Sequence, residues 1–160
     1  LESLFLVGCL AGDYKNRLMW SHYADGHKGF CIEYDFSKMT DLSLLPFPVV
    51  YTDKRIKMPW KAAINPSKEE TIETAKTMMI ALLTKDAEWS YEQEWRILVQ
   101  HDNDPNVKMP KPSCVYVGSM CNEENRQRLC SIANSLSIPI KQMKIDRGEY
   151  ALHAEDLNDF

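Results

Sequence analysis

Two carboxylates two residues apart, Glu92 and Glu94, stand in the string Glu92-Gln93-Glu94-Trp95-Arg96. On a strand both side chains point to one face, with Tyr91, Gln93 and Trp95 on the other. Neighbouring carboxylates repel, which raises the pKa of one of them. Such a pair is therefore either a functional device or a pair neutralised by cations. Arg96 falls on the same face and Lys85 is close enough in sequence to reach it, so a structural Glu–Arg arrangement competes directly with a catalytic one.

A second polar-aromatic concentration runs from Met19 to Gly29 and holds Trp20, His22, Tyr23, Asp25 and His27. Trp20 and Tyr23 combine large apolar faces with a polar handle, and the two histidines can donate, accept or shuttle a proton near neutral pH. The alternative is a short helix that anchors its aromatic residues in the core while the histidines hydrogen-bond neighbouring groups. In that alternative Trp20, Trp89 and Trp95 are core anchors, and Glu94–Arg96 and His22–Asp25 are buried polar pairs.

Several reaction classes lose ground. The glycines form neither a dinucleotide fingerprint nor a phosphate-cradling loop. Ser21 and Ser90 lack the sharp turn that exposes a nucleophilic serine. The five cysteines, Cys9, Cys31, Cys114, Cys121 and Cys130, contain no C-x-x-C pair and read as free thiols rather than as a zinc site or a disulfide framework. A metal-dependent nuclease built from His22, His27, Asp86, Glu92 and Glu94 is a weaker option. The net charge of -4 is spread through the chain without a basic stripe, so there is no strong nucleic-acid signature. No apolar run is long enough to span a bilayer, and the apolar start lacks the features of a signal peptide, so the cytoplasm is the expected location and no membrane partner is expected.

The elements that must position these residues follow from periodicity. Leu4–Leu10 reads as a buried strand. Asn16–Asp25 reads as a short helix that places Leu18, Met19, Tyr23 and His22 at helix-like spacing, closed by Gly26. Lys28–Phe36 alternates as a strand, with Phe30, Ile32, Tyr34 and Phe36 opposite a wetter face of Cys31, Glu33 and Asp35. In Leu45–Thr52 two prolines leave only Val49-Val50-Tyr51 able to pair. Ser67-x-x-Glu70 is a capping box opening a core-packing helix to Thr84, with a stripe of Ile72, Ala75, Met79, Leu82 and Leu83. Glu94–Val99 is a strand, Asp102–Pro112 a loop and Ser113–Gly118 a strand. Asn122 caps a second amphipathic helix with Leu129, Ile132, Ala133 and Leu136 on one face. Ile138–Ile145 is a strand, and Tyr150–His153 pairs back on it. This mixed order favours a single α+β domain with a mixed or antiparallel sheet and two longer amphipathic helices.

Met19–Phe36 (MWSHYADGHKGFCIEYDF) and Leu82–Leu98 (LLTKDAEWSYEQEWRIL) resemble a bacterial family, domain of unknown function 2971, as do Val50-Tyr51-Thr52 and Val115–Ser119. The resemblance covers nearly the whole chain. It departs at the beginning, where the family's tyrosine-rich strand and Asn-Asp-Pro-Phe type string do not precede Leu1, so the family domain is expected to lack an N-terminal portion here. The resemblance supplies no activity.

The E-x-E-W-R-I string is also similar to the glutamate motif of ADP-ribosyltransferases. That analogy implies NAD as cofactor, Glu94 as the catalytic carboxylate opposite the positive charge developing at C1′ of the nicotinamide ribose, and Glu92 orienting the acceptor. His22 would join the catalytic group, and Tyr23, Trp20 and Arg96 would hold the nucleotide. The other reading is a non-catalytic binding or regulatory module.

Overall fold

The computed structural model describes residues 5–40, 44–58, 67–100 and 109–157. Their order is β1 (Phe5–Ala11), α1 (Arg17–Tyr23), β2 (Phe30–Tyr34), β3 (Phe47–Pro48), β4 (Val50–Thr52), α2 (Lys68–Leu82) and β5 (Thr84–Asp86). A 3-10 helix (Ala87–Glu92) follows, then β6 (Glu94–Gln100), β7 (Pro112–Val117), α3 (Glu123–Ser135), β8 (Ile140–Ile145) and β9 (Leu152–Asp156). The fold is α+β. Residues 101–108, most of the loop read over Asp102–Pro112, lie outside the described residues, as do 1–4.

The chain divides into two compact units, each assembled from two stretches: Leu1–Gly12 with Pro46–Asp102, and Asp13–Leu45 with Asn103–Phe160. In the first, β6 lies between β1 and β3, antiparallel to both. Strands β4 and β5 pair in parallel, and the connection between them is α2. In the second, the sheet order is β2-β7-β8-β9. Its parallel pair among the described residues is β7–β8, bridged by α3. A parallel pair cannot be closed by a tight turn. Each long helix is therefore the crossover of one parallel pair, and the two βαβ crossovers go beyond the irregular order expected from the sequence.

The helices start where their caps place them. Asn16 Oδ1 accepts from the Leu18 and Met19 amides at 3.0 and 3.5 Å. Asn122 Oδ1 accepts from Asn125 N at 2.8 Å, with Glu123 and Glu124 in the first turn facing the positive end of the helix dipole. The capping box of α2 is complete: Glu70 N donates to Ser67 Oγ (3.2 Å) and Ser67 N donates to the Glu70 carboxylate (2.8 Å). Ser67→Ala is expected to remove about 1 kcal/mol of stability, read by urea denaturation. An unchanged midpoint would mean that the first turn of α2 is held by something other than its cap.

The second unit packs its sheet on both faces. On one, Trp20 and Ala24 of the α1 region meet Cys114, Tyr116, Met143 and Leu152. On the other, Cys130 and Ala133 of α3 meet Val117 and Ile140. Several sequence readings of facing are corrected here. α1 buries Trp20, while Leu18 and Tyr23 are exposed. α3 turns Cys130 and Ala133 inward and leaves Ile132 and Leu136 outside. In β2 the alternation is real but inverted. Phe30 and Ile32 share the face of Val117 and Val115, yet they stand on an edge strand and are exposed, while Cys31 packs inward.

In the first unit β1 is a largely exposed edge strand, not a buried one. Phe47-Pro48 pairs with β6 despite the proline, because the neighbouring Val49 N–H donates to Glu94 O at 2.9 Å. α2 buries no residue fully, so the expected core helix is instead a capped crossover with Ile72 and Ile80 exposed. No helix among the described residues is long and apolar enough to cross a membrane.

Candidate functional site

The carboxylates converge by a route the strand reading did not contain. Glu92 closes the 3-10 helix, Glu94 opens β6, and Gln93 between them adopts a left-handed conformation (φ 46, ψ 49). A left-handed non-glycine residue is strained by an amount of order 1 kcal/mol. Here Gly12 N–H holds the turn by donating to Gln93 O at 3.0 Å. Both carboxylates are buried, with 3% of Glu92 and 5% of Glu94 exposed.

Two cations meet them. Lys85, on the parallel strand β5, donates to Glu92 and, at 2.9 Å, to Glu94. Arg96 grips Glu94 with two nitrogens: Nε donates to Oε1 at 2.7 Å and Nη2 to Oε2 at 3.1 Å. Its third nitrogen, Nη1, donates to the Leu82 carbonyl at the end of α2 at 2.6 Å. The Glu94 amide donates to Tyr51 Oη of β4 at 2.7 Å. Strands β4, β5 and β6, the end of α2 and the 3-10 helix are thus tied to one carboxylate pair. Lys85 also lies over the Trp89 ring, 5.2 Å from its centroid.

Burial pushes the Glu94 carboxyl up, but hydrogen bonds from Arg96, Cys9 and Lys85 outweigh it and hold the group down at about 2. The Cys9 thiol, on the β1 residue opposite Arg96, is pushed up by burial and by its hydrogen bond to Glu94. Glu94 is therefore ionised across the ordinary pH range and cannot exchange a proton as a general acid or base there. What it can do is counter positive charge, and it already counters two cations.

Of the residues singled out in the sequence, Glu92, Glu94 and Arg96 are brought together in the first unit. Trp20, His22 and Tyr23 lie on α1 of the second. Trp20 is 3% exposed, and its indole N–H donates to Tyr14 O at 2.6 Å, which makes it a core anchor. Trp89 and Trp95 are half exposed and anchor no core. His22 and Asp25 are both exposed, so neither is the buried group expected of them. Among the described residues no three His, Cys, Asp or Glu side chains group as metal ligands. Sequence reasoning missed Tyr51 and Cys9 as partners of Glu94. Val50-Tyr51-Thr52 was visible as a string, but nothing in it pointed to Glu94.

The second signature segment is a latch. After α1, Asp25, Gly26 and His27 follow one another with φ 46, 58 and 68. The turn is fastened by His27 N to Trp20 O (3.1 Å) and Gly29 N to Ala24 O (2.8 Å). The residues after β7 then dock on it, with Gly118 N donating to Gly29 O (2.8 Å) and Met120 N to His27 O (2.9 Å).

A family model described as a protein of unknown function, DUF2971, matches residues 19–97. That stretch belongs to the DUF2971 family. No curated protein and no solved structure is similar enough to match the chain. The DUF2971 match starts within α1 and ends within β6, so it takes in the whole of the left-handed turn in one unit and the Lys85–Glu92–Glu94–Arg96 cluster in the other. Gly118–Met120, the other half of the latch, lies beyond the matched DUF2971 residues.

Proposed function

We propose that this DUF2971 chain works in the bacterial cytoplasm as a non-catalytic binding or regulatory module whose E-x-E-W-R string is an ion-pair lock. One observation carries the reading: both oxygens of Glu94 accept from Arg96 or Lys85 in a group that is 5% exposed. A carboxylate meant to face the charge developing on a ribose needs an oxygen turned toward the sugar. Large exposed apolar side chains, including Phe30 and Ile32 on β2 and Trp95 on β6, support contact with a partner.

One observation favours the NAD-using transferase reading instead. Glu94 is held ionised at about 2, as a carboxylate opposite an oxocarbenium ion must be. On that reading Glu94 is catalytic, Glu92 assists and Arg96 contacts NAD, which requires Arg96 to release part of its grip.

Thermal stability with and without NAD, ADP-ribose and other nucleotides separates the two, because a ligand that binds only the native state raises its melting temperature by mass action. No shift with any nucleotide is the expected result. A clear upward shift with NAD that Arg96→Lys abolishes, in a variant that still melts cooperatively, would replace the module reading with the transferase.

A further inference from the structure

The turn that joins α1 to β2 holds three consecutive residues in the left-handed region, two of them non-glycine. Such a turn persists only when its surroundings hold it. The backbone bonds described above are part of that hold, and the His27 ring is the rest. It lies nearly parallel to the Trp20 indole, with centroids 6.4 Å apart and planes 14° apart, and its Nε2 is 3.2 Å from Ser21 Oγ.

The proton on this ring can be placed. The Ser21 hydroxyl has one hydrogen, and it donates to the Arg17 carbonyl at 3.1 Å, as a helical serine commonly does. Ser21 Oγ therefore accepts from His27, and Nε2 carries the proton. The same assignment removes His27 as a base for Ser21. The other nitrogen, Nδ1, is buried and has no hydrogen-bond partner among the described residues. As a bare lone pair it is tolerated there; as an N–H of an imidazolium it would be a buried donor without an acceptor.

We infer that His27 is a pH-sensitive catch: the turn Asp25–Gly29 stays latched on Gly118–Met120 while the ring is neutral and releases when Nδ1 is protonated. The surrounding charges point the same way. From α1, Arg17 adds positive charge. The docked segment Gly118-Ser119-Met120-Cys121 brings hydroxyl, thioether and thiol groups but no acidic side chain. On the turn itself Asp25 and Lys28 are exposed and of opposite sign. Burial and then Arg17 hold the His27 pKa below 6.5. The sign follows: a base that is harder to protonate when latched favours the latch above 6.5, and that preference is lost as pH falls from 6.5 toward the lowered value.

Amide hydrogen exchange read by NMR at Gly118 and Met120, together with titration of the His27 ring, tests this. After correction for intrinsic exchange, protection at both amides is expected to fall severalfold, by about tenfold at most, between about pH 7.5 and about pH 5.5. His27→Asn, which tolerates the left-handed conformation, should remove the pH dependence, and His22→Gln should keep it. His27 titrating at or above 6.5, or protection unchanged across the range in the unsubstituted protein, would overturn the inference. Those two wild-type measurements decide it even if His27→Asn does not fold.

Discussion

Glu94→Leu is expected to lower the unfolding free energy by about 3–5 kcal/mol in urea denaturation at neutral pH. The size follows from what is left behind. With Glu94 gone, Arg96 keeps only the Leu82 carbonyl from the three contacts described above, and Lys85 keeps Glu92 as its one carboxylate partner among the described contacts. Removing one partner of a buried pair leaves an uncompensated charge, whereas removing both is much milder. The double variant Glu94→Leu/Arg96→Leu should therefore lose less than Glu94→Leu alone, although it carries one substitution more. The pH profile gives a second reading of the same lock. The Glu94 carboxyl titrates at about 2 in the folded chain against 4.5 for an unperturbed glutamate. Its contribution is fully present above 4.5 and is lost as pH falls through about 2, because the unfolded chain takes up the proton first. Glu94→Leu should flatten the stability profile over that interval. Parallel profiles, or a double variant weaker than the single one, would mean that Glu94 does not hold this unit together.

How much of this was legible in the sequence depended on whether the signal was local. Caps are local: Ser67 and Asn122 announce the starts of two helices, and the structure places caps at those residues. The neutralised alternative for Glu92 and Glu94 was also within reach, because Arg96 is two residues from Glu94 and strand periodicity puts the two on one face. Lys85 reaching both was foreseen only as a possibility of distance. Its actual position depends on β5 lying parallel to β4, a pairing across α2 that no short-range pattern encodes. Facing failed for the same reason. Alternation in β2 says that two faces differ, but which face is covered depends on how far α3 extends over the sheet, and it covers Val117 without covering Phe30 or Ile32. Tyr51 and Cys9 were unreadable as partners of Glu94 because strand register and crossover bring them there.

Gly118→Ala should cost about 3 kcal/mol or more, the sum of about 1–3 kcal/mol for overpacking and about 1 kcal/mol for each of two backbone hydrogen bonds lost. A Cβ at Gly118 would lie 2.2 Å from His27 O and 2.7 Å from Gly29 O. Both obstacles are main chain, so neither can rotate away. The segments must part, and the bonds from Gly118 N to Gly29 O and from Met120 N to His27 O break with them. The glycine is required here by approach and not by dihedral angle, since Gly118 is not among the positive-φ residues. Gly26 is the opposite case. Its φ of 58 favours glycine, but a Cβ there meets nothing within 4 Å, so Gly26→Ala should lose only about 1–2 kcal/mol, the conformational term alone. Equilibrium denaturation of the two variants side by side separates the causes. Gly118→Ala less damaging than Gly26→Ala would show that the latch between the turn and the end of β7 is looser than these distances require. The expected order would establish a close backbone contact between two sequence strings 91 residues apart at corresponding positions, His27–Gly29 and Gly118–Met120, of which only the first falls within the family match.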